Sequence, residues 1–139
     1  MLKYILEDMR DGTISDGFYA GRNPKYTDVF NVVPNDYLAK RFATKEDAER
    51  VAQPLNGVGY HFVVREYEEL EPYAKERLYE VIQLLRKEVS KQFDDWRDAD
   101  DWIFSELSLT AGDLRDIYAD KPDFIHIEAA AERRRRAAK

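Results

Sequence analysis

The sequence predicts an α+β protein, in which a small antiparallel sheet of β-β-β-α-β order is followed by a helical C-terminal half. Three observations predict it. The first third carries short β-rich runs broken by Asp-Gly pairs, residues 44–67 read as a capped helix leading into a strand, and an apolar period of 3.6 residues takes over after residue 72. With 139 residues, 44% of them hydrophobic and 13% aromatic, the chain has enough apolar surface to bury a core. It contains no cysteine, which excludes disulfides, thiolate metal sites and cysteine nucleophiles.

In chain order, KYILED (3–8) is the first strand, and Asp11-Gly12 and Asp16-Gly17 are turn pairs that return the chain through FYAG (18–21). RNPKYTD (22–28) is a loop, with Pro24 driving Asn23 toward extended geometry, and VFNVV (29–33) is a third strand closed by Pro34. Thr44 followed by Lys45-Glu46-Asp47 marks a helix start, and Ala48, Val51, Ala52 and Leu55 share one face. Pro54 and Asn56-Gly57 are expected to end this helix. In GYHFVVREY (59–67), Tyr60, Phe62 and Val64 alternate with His61, Val63 and Arg65; both faces are partly apolar, which suits a central or covered strand.

From Pro72 onward the reading is helical. Proline fits the first turn, Glu68, Glu69 and Glu71 complement the helix dipole, and Ala74, Leu78, Val81, Ile82, Leu85 and Val89 form an apolar stripe. That stripe offers a homodimer contact wherever the sheet leaves it uncovered. Thr110-Ala-Gly-Asp113 starts a further helix bearing Leu114, Ile117 and Tyr118, broken at Asp120-Lys-Pro122, and the alanines and arginines of the last segment favour helix again. The chain therefore divides into a sheet unit (1–68), a helical segment packed on it (69–129) and a basic tail (130–139). With no Gly/Ser-rich linker, a single compact body is expected.

Charge is unevenly spread. The net charge is −6, but the tail AAERRRRAAK holds five positive groups and one negative, leaving 17 basic against 27 acidic groups, a net of −10, in residues 1–129. An acidic body favours basic partners, whereas Arg133, Arg134, Arg135 and Arg136 could touch phosphate. Four adjacent arginines spread around a helix and form no single readout face, so direct nucleic-acid binding is not the expectation, and a dipole-matched helix end accounts for them equally well. The N-terminus has no signal-peptide pattern and no run is long enough to span a membrane, from which a cytoplasmic location is expected.

Catalytic signatures are missing. There is no phosphate-binding glycine loop and no nucleophile elbow, and the two histidines, His61 and His126, stand far apart without a second ligand at metal-binding spacing. The run DDWRDADD contains the D-x-D pair Asp98 and Asp100, yet no calcium loop can be drawn through it, because the glycine at the sixth position and the glutamate at the twelfth are lacking. A non-enzymatic protein without metal or cofactor is expected.

The stretch FDDWRDADDWIF (93–104) is the candidate site. Projected at about 100° per residue, Phe93, Trp96, Ala99, Ile103 and Phe104 fall on one side, while Asp94, Asp98 and Asp101 fall opposite, flanked by Asp95. Trp102 falls on the acidic side. Either the helix bends near Ala99 and Trp102 turns into the core, or Trp102 stands exposed as a partner anchor with the acids steering a basic surface toward it.

DYLAKRFATKEDAERVAQPLN (36–56), with YHFVVREYE (60–68) after it, resembles short phage and prophage proteins of Gram-positive bacteria, the matching residues being Ala39, Phe42, Thr44 and Ala48. The resemblance covers about half the chain and implies an accessory role without catalytic residues. Together with the acidic body and the acid-framed tryptophan, it points to an inhibitor of a host nucleic-acid-handling defence, of anti-CRISPR or anti-restriction type, acting in the host cytoplasm on a protein with a basic surface such as a CRISPR nuclease. A small nucleic-acid-binding regulator using the arginine run, or a phage assembly component, are the alternatives.

Overall fold

The computed structural model describes residues 1–23, 25, 26, 29–122 and 124–137; Pro24 of the loop and Ala138 and Lys139 of the tail lie outside the described residues. The chain divides into two compact units, Met1–Glu69 and Leu70–Lys139. The fold class is α+β, with a four-stranded antiparallel sheet and five α-helices among the described residues.

In the first unit, β1 (Leu2–Arg10) and β2 (Ile14–Arg22) form a hairpin. Its loop is made by Asp11 and Gly12, both left-handed at φ 57° and 74°, as the Asp-Gly pair requires. The second Asp-Gly pair makes no turn. It sits inside β2, where the pairing with β1 slips between Glu7 and Met9 and Gly17 takes φ 112° in a bulge. A Cβ on Gly17 would stand 2.7 Å from Val32 Cγ1 and 2.8 Å from the Val33 carbonyl oxygen on the neighbouring strand. Both the backbone angle and the available space therefore demand glycine.

β3 (Phe30–Val33) pairs with β2, and β4 (Phe62–Glu68) pairs with β1 from Leu2↔Glu68 to Asp8↔Phe62, giving the order β3-β2-β1-β4. The run ending in Tyr67 is thus an edge strand, not a central one. The interior strands are β2 and β1, and on β1 the adjacent residues Ile5 and Leu6 point to opposite faces and are both buried. Past the end of β2, Phe42 continues the sheet beside β1 through reciprocal bonds with Tyr4, 3.0 and 2.8 Å.

The helix α1 (Lys45–Gly57) starts as its sequence suggests, with Thr44 Oγ1 accepting from the Asp47 amide at 3.1 Å. It does not stop at Pro54, which is exposed and simply forgoes one backbone bond on the outer face. Asn56 acts as the terminal clamp: its side-chain amide donates to the Phe62 carbonyl at 2.9 Å and accepts from the Phe62 amide at 2.7 Å, tying the helix end to the start of β4. Buried Ala48 and Ala52 let α1 lie close on Leu6, Tyr19, Phe42 and Phe62, and Phe30 and Tyr60 complete an aromatic cluster. Ala39, Phe42, Thr44 and Ala48, which carry the phage-protein resemblance, are three buried residues and one helix cap. That pattern records how this unit folds.

The second unit begins with α2 (Pro72–Val89), proline in its first turn, and Glu69 is engaged by Arg41 at 2.8 Å in the first unit. After a 3-10 turn come α3 (Trp96–Glu106), α4 (Ala111–Tyr118) and α5 (Phe124–Ala137). Thr110 and Asp113 form a complete capping box at the start of α4, with reciprocal bonds of 3.1 and 3.0 Å. Residues 130–137 belong to α5 and so are not a separate tail. The stripe from Ala74 to Val89 is partly covered: Ile82 and Val89 are buried and Ala74, Leu78, Val81 and Leu85 half-buried.

Replacing Gly17 by alanine is expected to cost about 2–4 kcal/mol, the sum of left-handed strain and an overpacked strand contact. A urea melt of the Gly17→Ala variant measures it. An unchanged midpoint would mean the bulge is not needed.

Candidate functional site

The site grows out of the way α3 begins. Phe93 and Asp95 are extended (φ −125° and −118°), so the helical projection starts only at Trp96. Asp95 is the N-cap, its Oδ1 accepting from the Arg97 amide at 2.9 Å. It also accepts from the Arg97 guanidinium at 3.2 and 3.1 Å. The Arg97 side chain first, and its backbone amide second, hold the Asp95 carboxyl below its ordinary value.

From there the helix sorts its side chains. Ala99, Asp100, Ile103 and Phe104 are buried. Asp100, only 5% exposed, is the aspartate that sequence reasoning left unassigned. Both its oxygens are taken by Arg86 of α2, Nε to Oδ1 and Nη2 to Oδ2, each 2.9 Å, and the guanidinium lies 5.5 Å from the Tyr118 ring centroid. A clue existed in the sequence: Asp100 is one residue from Ala99 and three and four from Ile103 and Phe104, so it had to share their face and needed a cation there.

Asp101 turns toward α5, where Arg133 holds it through Nε at 3.1 and 3.0 Å and Nη2 at 2.9 Å. Among the described residues, the carboxylates of Asp94 and Asp98 have no ion pair or hydrogen bond. The expected row of four acids, Asp94, Asp95, Asp98 and Asp101, is therefore not a row. Two are neutralised by arginines, Asp94 lies before the helix, and Asp98 alone presents an unpaired charge from its outer face.

Trp102 lies one turn after Asp98 on that outer face and is 44% exposed, so the helix does not turn it into the core. Trp96, placed by the projection on the apolar side, is 52% exposed. Its angle is right, but it occupies the first turn, where the described contacts of its ring are the edge of His126 at 5.5 Å and the Arg97 guanidinium at 5.9 Å. The outer face of α3 therefore carries the accessible Trp102 indole beside the free carboxylate of Asp98, and Trp96 is exposed separately at the first turn.

The arginine run serves the fold as well. Arg133 straps Asp101, Arg134 Nε donates to the Leu109 carbonyl at 3.0 Å, and Arg135 and Arg136 share Glu132. The Arg135 hydrogen bond, reinforced by the charges of Arg135 and Arg136, holds the Glu132 carboxyl at about 2. Among the described residues no cluster of histidine and carboxylate side chains could hold a metal ion, and no helix is long and apolar enough to cross a membrane.

No family model matches the chain, and no curated protein and no solved structure shows significant similarity to it.

Because the folded Glu132 carboxyl titrates below the 4.5 of an unperturbed glutamate, its contribution to the end of α5 is full above 4.5 and disappears as pH falls toward about 2. Amide exchange over residues 130–137, in wild type and in Glu132→Gln, is expected to differ at neutral pH and to converge across that window. Equal exchange in the two proteins at every pH would show that the arginines do not depend on this carboxylate.

Proposed function

We propose that this chain is a non-enzymatic accessory protein that acts by binding a protein partner with a basic surface, and that the partner is a host defence protein that handles nucleic acid, in the manner of an anti-CRISPR or anti-restriction inhibitor. The exposed ring of Trp102 beside the unpaired Asp98 carries this reading. A large aromatic ring left in water forgoes roughly 2 kcal/mol of burial that a partner's pocket can recover, and tryptophan is the side chain most enriched among residues dominating interface energies. A carboxylate one turn away that makes no ion pair or hydrogen bond among the described residues is available for steering.

The choice of a nucleic-acid-handling partner rests on charge. Residues 1–129 carry 17 basic and 27 acidic groups, and the basic channel that holds a nucleic-acid backbone is the complementary surface most common in such defence proteins. The reading as a nucleic-acid-binding regulator loses its main support, since Arg133, Arg134, Arg135 and Arg136 all have internal partners.

Adding the purified protein to a panel of CRISPR nucleases and restriction enzymes is expected to suppress DNA binding by at least one of them. Trp102→Ala should weaken the complex about 30-fold, and Asp98→Asn should chiefly slow association. Undiminished DNA binding and cleavage across the panel would refute the choice of partner. A complex equally tight with Trp102→Ala would refute the choice of surface.

A further inference from the structure

The outer face of α2 has a pattern of its own. Tyr73 and Leu84 are 79% and 66% exposed, more than any other large apolar side chain described in the second unit. Between them, on the same face, lie Arg77 and Glu80, 68% and 59% exposed and bonded to each other at 3.2 Å. The positions 73, 77, 80, 84 and 87 are spaced four, three, four and three apart, the spacing of a two-helix seam. They lie opposite the buried side of α2, marked by Ile82 and Val89.

The stripe is self-complementary in one orientation only. Laid antiparallel on a second copy of itself about an axis midway between Arg77 and Glu80, it sets Tyr73 against Leu84 of the other copy at both ends. At the centre each Arg77 then faces a Glu80. A parallel pairing would place Arg77 on Arg77 and Glu80 on Glu80. Beside Leu84 runs an open apolar groove lined by Tyr79, Glu80, Gln83, Leu84 and Lys87, which in this register receives the other copy's tyrosine ring.

We infer that α2 is a homodimerisation surface, pairing antiparallel with α2 of a second copy through Tyr73, Arg77, Glu80 and Leu84. The interface is isologous and closes at two, so it builds a dimer and not a lattice. One helix pair buries less than the roughly 1,200 Å² of a standard stable interface, and its polar centre sets register at some cost in affinity, so the dimer is concentration-dependent.

Sedimentation velocity of the full chain over a dilution series tests this, with charge reversals as the probe. Arg77→Glu and Glu80→Arg are each expected to weaken dimerisation about tenfold or more, because each turns two cross-axis attractions into repulsions. An equimolar mixture of the two single variants should recover wild-type association as a heterodimer, and the double variant should recover it as a homodimer. Leu84→Glu should give monomer only. A wild-type chain that remains monomeric up to ~1 mM overturns the proposal, as does a dimer indifferent to the three single variants.

Discussion

One buried ion pair decides which way two helices face. Asp100 sits on the apolar side of α3 among Ala99, Ile103 and Phe104, where an unpartnered carboxylate would be costly. Arg86 answers it with two parallel 2.9 Å bonds from α2. Removing Arg86 leaves the buried Asp100 carboxylate without its cation, an effect of about 3–5 kcal/mol in comparable sites. With Asp100 held inward, the helical period places Asp98 and Trp102 outward. With Arg86 held inward, the same period on α2 turns Tyr73, Arg77, Glu80 and Leu84 to the outside. The two surfaces proposed for interaction are thus consequences of a single internal contact.

The five aspartates of FDDWRDADDWIF show how one composition is divided by geometry. Asp95 caps the helix, Asp100 is buried against Arg86, Asp101 anchors α5 through Arg133, and Asp94 and Asp98 make no ion pair among the described residues. Two of the five tie α3 to its neighbouring helices and one caps α3 itself, so the part left for a partner is small. The arginine run is the counterpart of that acid: its side chains meet Asp101, Glu132 and the Leu109 carbonyl before any external phosphate. A chain with a net charge of −6 nonetheless spends many of its ions on itself.

Elements with a strong local code were legible in the sequence. The Asp11-Gly12 turn, the Thr44 and Thr110 caps and the stripe of α2 each follow from interactions within a few residues, and the structure places them accordingly. Features that depend on distant partners were not. Asp16-Gly17 reads as a turn until β3 is set beside it, and nothing local distinguishes β4 at an edge from a central strand. Trp96 shares the angle of Ala99 and Ile103 but is exposed, because it is the first residue of α3 and a helical period carries no information about where the covering helices end. For Trp102 the sequence leaves two readings, a turn into the core or exposure on the acidic side, and the 44% exposure of its ring decides between them.

The functional account depends on water reaching the Trp102 indole. In the Trp96→Phe variant Trp102 is the sole tryptophan, so its emission and its acrylamide quenching report on this one ring. A red-shifted emission with quenching close to that of the urea-unfolded chain is the expected result. A blue-shifted emission with a strongly protected ring would place Trp102 in the interior and contradict the account.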